Sequence, residues 1–549
     1  MLNVTSNFVP RFRAQLAQFR REEDGTLIIF GLTLFVLMIM MGGFAVDLMR
    51  YENVRVNLQQ TLDRSTLAAA ALNQSLDPHA VVVDYMLKAG LADQLENVQV
   101  TEALNSRTVR SVGRAATHPI FLHMLGIQSF DAMGRSQAEQ SVTNVEVVLV
   151  LDISGSMQSN NKIGNLKTAA SEFVDTILAN DPNHRVSISI VPYNAEVNIG
   201  PQLVSKFAIT NPNGVANVNC VELPPSVYGS LALSRIDSMP MVAYADIVYG
   251  TNRINGLVSP TDATFARPNY GRVFCKPNPA NQVRLPSNNA VTIKSEINAL
   301  QAEGNTSITL GMKWGVTLLD PSMRSMFTDF IGSGAIPASM PSRPFDYRDP
   351  GTMKIIVLMT DGQHVAHDRI VDAYKTGPAP IYLSTGDGNY SVRHTAGRPA
   401  VAGSNEYFVP HLGTWQATPW DSGAGAVQQD WAAIWANLKL SYVAWQFYGR
   451  ALGTDATSRN TVYSNTFSAM DQIYASAATM DATLQQSCQG ARDQGVIVYG
   501  IAFEAPTHGQ EVIRNCASSP AHYFAADGLQ IQNAFRTIAS NITMLKLTQ

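Results

Sequence analysis

Apolar positions along this chain follow three rhythms. The first is an unbroken run, TLIIFGLTLFVLMIMMGGFAV, with no charge in 21 positions from Thr26 to Val46. As a helix it would span about 31 Å, one bilayer core, and it predicts a transmembrane helix. In the second, Tyr51, Val54, Leu58, Leu62, Ser65, Ala69 and Leu72 recur every three or four residues. That spacing predicts a helical continuation over 47–78, broken at Asp77-Pro78. The third begins at Asn144, where short apolar runs alternate with amphipathic stretches.

VEVVLVL is apolar almost throughout, as a strand covered on both faces should be. Behind it, Ile163, Leu166, Ala170, Phe173, Val174, Ile177 and Leu178 share a helix face. RVSISIVPY, KIIVLMT and VIVYGIAF read as further strands, MDATLQQSCQGARDQG as a helix, and Ile531, Ala534, Phe535, Ile538 and Ile542 mark a last one. Strand–helix alternation predicts an α/β fold with a parallel, doubly wound sheet over 144–549. Pro-, Gly- and Asn-rich stretches at 195–290 and 364–478 interrupt it as insertions. Setting them aside leaves about 195 residues, an ordinary single domain. Residues 79–143, with VQVTEAL and IFLHMLGIQSF, predict a small α+β linker module.

A chain of 549 residues needs more than one core. Its net charge of −4 gives no basic surplus, so a nucleic-acid partner is not expected. The four cysteines, Cys220, Cys275, Cys488 and Cys516, include no CxxC and lie on the C-terminal side of the apolar run. Four cysteines allow three connectivities; local pairing predicts Cys488–Cys516, around VIVYGIAF, and Cys220–Cys275, inside the first insertion. Disulfides imply an oxidising compartment. The expected topology is a single-pass membrane protein with a cytoplasmic tail (1–25) and an exported body. Arginines flank the run on both sides, so the cysteines carry this orientation.

Candidate chemistry gathers where predicted strands end, the edge at which open α/β sheets bind ligands. LDISGSM follows VEVVLV and offers Asp152, Ser154 and Ser156. AEGNTSIT precedes a predicted helix and offers Thr306, and MTDG closes KIIVLMT with Asp361. Two carboxylates and three hydroxyls are hard donors, suited to Mg²⁺, or to Mn²⁺ or Ca²⁺, rather than zinc. Neutral hydroxyls would leave such a cation short of negative charge and open to an acidic side chain of a protein partner. Alone, each piece also reads as a polar turn. No G-x-S-x-G occurs, so nucleophilic catalysis has little support.

D-x-S-x-S after a buried strand, G-x-T before a helix and T-D-G after a second strand together resemble the metal-ion-dependent adhesion site of von Willebrand factor A (vWA) domains. The resemblance implies that Ser154, Ser156 and Thr306 coordinate directly and that Asp152 and Asp361 act directly or through water. Asn305 stands where many members have glycine. EEDGTLIIFGLTLFVLMIMMGGFAVDLMRYENVRVNLQQTLDRSTLAAAA resembles the start of TadE/TadG-type Flp (Tad) pilus-assembly proteins, as do the late cysteines. Phe30 occupies the position five residues after Gly25 where a pilin carries Glu, so a retained anchor is expected. The implied function is a non-enzymatic, membrane-anchored pilus-assembly or adhesion protein binding assembly components. Two alternatives stand beside it: a structural anchor whose metal only stiffens the sheet, and a metal-dependent hydrolase using His364.

Three further features have two readings each. His364, His367 and Asp368 in QHVAHDR form either a second metal or ligand-steering site or a solvated loop. Trp431, Trp435, Leu438, Tyr442 and Trp445 form either a partner-binding face or the insertion's own core. TGDGNYS lacks the strand–helix context of a phosphate loop.

Overall fold

In the computed structural model, the described residues are 24–71, 76–103, 106–141, 144–179, 181, 184–250, 256, 258–349 and 351–548. Most of the expected tail, and Leu72, lie outside them. Between Val142 and Thr143 the chain divides into two compact units.

In the first unit a helix of 47 residues, α1 (Asp24–Ala70), carries the apolar run. Among the described residues it is the one helix long and apolar enough to cross a membrane. Its side chains from Leu27 to Met49 are largely exposed, and its C-terminal half is amphipathic. Leu58, Leu62, Ala69 and Ala70 pack on a three-stranded antiparallel sheet, β1 (Leu95–Ala103), β2 (Ser106–Thr117) and β3 (Phe130–Ser141). The helix ends at Ala70, short of the expected break. Pro78 instead opens a second helix, α2 (Pro78–Lys88), whose N-cap Asp77 accepts from the Ala80 amide at 2.9 Å. Proline suits a first helical turn because the missing N–H there has no partner to lose.

The second unit is built on a six-stranded sheet. Its strands are β4 (Asn144–Asp152), β5 (Val186–Tyr193), β6 (Arg284–Ser287), β7 (Thr352–Thr360), β8 (Ile497–Phe503) and β9 (Tyr523–Ala526). Their spatial order is β6-β5-β4-β7-β8-β9, parallel except for the β6 edge. The expected α/β class, with an N-terminal apolar helix and a doubly wound sheet, is the one observed. Strand order reverses between β4 and β7, the switch point where such sheets open a crevice. Along β4 the side chains alternate: Val145, Val147, Leu149 and Leu151 join one core, Val148 and Val150 the other. The first core is closed by α3 (Lys162–Leu178), α4 (Ala290–Ala299) and α8 (Gln530–Thr548). The second is closed by α5 (Ile308–Leu319), α6 (Ala477–Asp493) and α7 (Thr507–Cys516). β6 and β9 are not among the expected strands. Each has only four residues, too few to show a period.

The stretch 364–478 is more regular than its composition suggested. It contains a five-stranded antiparallel sheet within 378–430 and helical turns from Trp431 to Met470. Its strands run three to seven residues between Gly- and Pro-rich turns, so little alternation accumulates. Trp431, Trp435, Leu438, Tyr442 and Trp445 are buried there, with the Trp431 and Trp435 rings stacked 5.3 Å apart. The aromatic stripe is thus core, not a partner-binding face. Its residues have helical spacing, but the helical backbone breaks at Leu438, so they do not lie on one helix. Ala245, Ile247, Val258 and Ala266 from the earlier stretch enter the same cluster. Cys220 is bonded to Cys275, and Cys488 to Cys516.

Candidate metal centre

The carboxyl ends of β4 and β7 put Asp152 and Asp361 on either side of the switch point. Asp152, the last residue of β4, is fully buried. Its Oδ1 accepts from the Ser154 amide at 2.8 Å and its Oδ2 from the Thr360 hydroxyl at 2.6 Å. Beyond it the chain turns through Gly155, whose N–H donates to the Gly304 carbonyl at 2.8 Å. That bond joins the LDISGSM loop to the loop carrying Thr306. A second, from Val365 N–H to the Thr306 carbonyl at 3.0 Å, joins the Thr306 loop to the segment after Asp361.

Within this clasp the oxygen side chains converge. Ser156 donates to Asp361 Oδ1 at 2.7 Å, and Ser154 Oγ lies 3.3 Å from the same oxygen. The two serine oxygens are 3.1 Å apart. Thr306 is buried beside Gly362, but no hydrogen bond joins its hydroxyl to the other four side chains. Four of the five expected residues therefore form one hydrogen-bonded group, and the fifth borders it.

Two charged residues at this centre escaped sequence reasoning. Lys162, at the start of α3, is buried with its Nζ 3.1 Å from Asp361 Oδ2 and 3.7 Å from Glu504 Oε2. Nothing in NKIGNLKTAA, where it is the first of two lysines, distinguishes it from a surface helix lysine. Glu504 was within reach, because it follows β8 and the strand-end rule that selected Asp152 applies equally to it. Burial pushes the Asp152 carboxyl up to about 6, and the nearby negative charge of Asp361 adds to the shift. Asp152, Asp361 and Glu504 carry three negative charges against the single ammonium of Lys162, a deficit that one divalent cation would balance.

The histidines of QHVAHDR are buried rather than solvated. The His364 ring accepts from the Thr309 N–H through Nε2 at 3.0 Å and contacts Asp481 through Nδ1 at 2.7 Å. It therefore pins the segment after Asp361 to α5 and α6. The same Asp481 carboxylate contacts His508 of α7 at 2.8 Å. His367 sits between the rings of Phe274 and Tyr474. Among the described residues no three His, Cys, Asp or Glu side chains form a metal cluster, so any hard-cation site here depends on the hydroxyls. The donors suit such a cation: carboxylates and hydroxyls, with neither imidazole nor thiolate.

Fold and centre together define a doubly wound α/β unit with a cluster of carboxylates and hydroxyls at its switch point, carried on a chain with a long apolar helix. Residues 25–72 match the family model described as "Putative Flp pilus-assembly TadE/G-like". No curated protein matches the chain. Among solved structures it is similar to the vWF domain of the type V pili tip protein Mfa5 from Porphyromonas gingivalis. That match has 12% identity and a TM-score of 0.30, covering 74% of this chain and 97% of that one. It is also similar to the adhesive tip pilin GBS104 from Group B Streptococcus agalactiae, at 11% identity and a TM-score of 0.29, with 72% and 99% covered. For the pilus adhesin SpaC from Lactobacillus rhamnosus GG the values are 12% and 0.28, with 81% of this chain and 33% of that chain covered.

Proposed function

We propose that this chain is a non-enzymatic, membrane-anchored pilus-assembly or adhesion protein whose body is a vWA-type domain that binds a divalent cation. Through the cation it would hold an acidic group of a protein partner. Asp152, Ser154, Ser156, Thr306 and Asp361 would hold the cation, Mg²⁺ or Mn²⁺ by their chemistry. When bound, it would supply a Lewis-acidic position for a carboxylate.

The observation that carries this reading is the group of serine hydroxyls and carboxylates at the switch point, with its deficit of positive charge. The TadE/TadG-like match over 25–72 supports the pilus side of it. Thr26–Val46 would span the inner membrane, tail inside and body in the periplasm, where both disulfides persist.

Calorimetry with Mg²⁺ and Mn²⁺ tests the site directly. Binding by the wild type, and its loss in Asp361→Ala or Ser154→Ala with an unchanged circular dichroism spectrum, is the expected result. Equal affinity in wild type and variants would remove the site, and capture of pilus components unaffected by excess chelator would remove the bridging role.

A further inference from the structure

The first unit carries an apolar surface that the proposed function does not use. Residues 119–127, PIFLHMLGI, form a loop between β2 and β3 that lies against α1. His123 is its only side chain with a nitrogen or oxygen atom. Met124 is 84% exposed, Leu125 59% and Ile120 58%, outside the core that Leu58, Leu62 and the sheet residues form.

The loop is fastened to the helix at one height. The Asp47 carboxylate accepts from the backbone amides of Ile120, Phe121 and Leu122 at 2.8, 2.9 and 2.8 Å. Asp47 is the first charged residue after the apolar run, at the level where a span would leave the hydrocarbon. From there the loop reaches back along the run. Phe121, Leu122, Met124 and Leu125 share a cavity of about 270 Å³ with Val36, Ile39 and Met40 of α1. Val36 is eleven residues before Asp47, about 16 Å down the helix axis. Gly43 makes the approach possible, since a Cβ there would stand 2.4 Å from the Phe121 ring.

Backbone in hydrocarbon must satisfy its own polar groups. Here the carboxylate takes three amides, and those of Met124, Gly126 and Ile127 donate to the carbonyls of Phe121, His123 and Leu122. A solvent loop has no need of such closure or of such a composition.

We infer that 119–127 is a second membrane-embedded element: a short loop inserted into the leaflet on the body's side, packed along α1. The apolar surface it presents is continuous with the exposed surface of Leu27–Met49, so the same lipid covers both. The inference rests on the reading that Thr26–Val46 spans a bilayer. Its effect is to fix the unit close to the membrane and restrict its tilt, because the sheet hangs from the loop as well as the helix.

All four native cysteines are in disulfides, so single introduced cysteines report cleanly. Full-length Met124→Cys, Val36→Cys and Val401→Cys proteins are labelled in detergent with an environment-sensitive fluorophore. They are then reconstituted into phosphatidylethanolamine/phosphatidylglycerol nanodiscs with or without brominated lipid. The expected result is loss of emission to brominated lipid at positions 36 and 124, with iodide quenching only at the exposed 401. Quenching by lipid at 36 but by iodide at 124 overturns the loop and keeps the span. Iodide quenching at both overturns the span and this inference with it. A label at 124 shielded from both quenchers means a protein covers the loop, which also overturns a lipid contact.

Discussion

Asp471 shows how one carboxyl records its surroundings. It caps the helix ending at Met470, one oxygen is buried without a partner, and Asp368 lies near. Burial first, then that like charge, push its pKa up to about 7 from an ordinary 3.8. The folded state therefore keeps a proton that the unfolded chain has lost at these pH values. The resulting stability is complete below about pH 4 and disappears as pH rises through about 7. Asp471→Asn should raise the melting temperature at pH 8, with the gain shrinking toward pH 4. Thermal melts at pH 4, 6 and 8 check this, and a gain independent of pH would contradict it. At the candidate centre, residue types were legible because hard-donor chemistry needs particular side chains. Lys162 was not, since its role comes from what it touches.

At the scale of elements, α7 holds the Asp361 loop in place by contact. A Cβ at Gly509 would stand 2.1 Å from the Gly362 carbonyl, so this helix turn tolerates only hydrogen there. Gly509→Ala should therefore displace the loop, destabilise the unit by about 1–3 kcal/mol and weaken the proposed Mg²⁺ binding. Calorimetry together with urea unfolding measures both; intact binding would show that the loop is held elsewhere. The disulfide from Cys488 in α6 to Cys516 at the end of α7 closes 28 residues of sequence separation. By the chain-entropy relation the Cys488→Ser/Cys516→Ser protein should lose about 3–4 kcal/mol, read as a lower urea midpoint. Strands β4, β7 and β8 were readable from largely apolar runs because both their faces are covered, and β5 from the alternation of Val186, Ile188 and Ile190 with serines. The edge strands β6 and β9 were not, because four residues at an edge need no such pattern.

At the scale of the molecule, the division at 142/143 predicts that residues 144–549 made alone are soluble and melt cooperatively. Aggregation or a non-cooperative melt would show that the unit depends on the rest of the chain. Within that unit, 245–266 and 370–470 are separate in sequence yet meet in one core around Trp435. Trp435→Ala should cost about 3–5 kcal/mol and expose both stretches to proteolysis together. Cleavage confined to 370–470 would show that they are independent.

The sequence by itself determined the apolar helix, the doubly wound sheet and the acids and hydroxyls that gather at its switch point. Each follows from local period, length or side-chain chemistry, which a linear string records. Only the tertiary structure decided that Lys162 lies between Asp361 and Glu504, that His364 is buried against Asp481, and that two distant stretches share one core. It alone placed PIFLHMLGI along the apolar helix. These are contacts between residues far apart in the chain, formed because separate apolar faces exclude water together, and no single segment carries a trace of its partner.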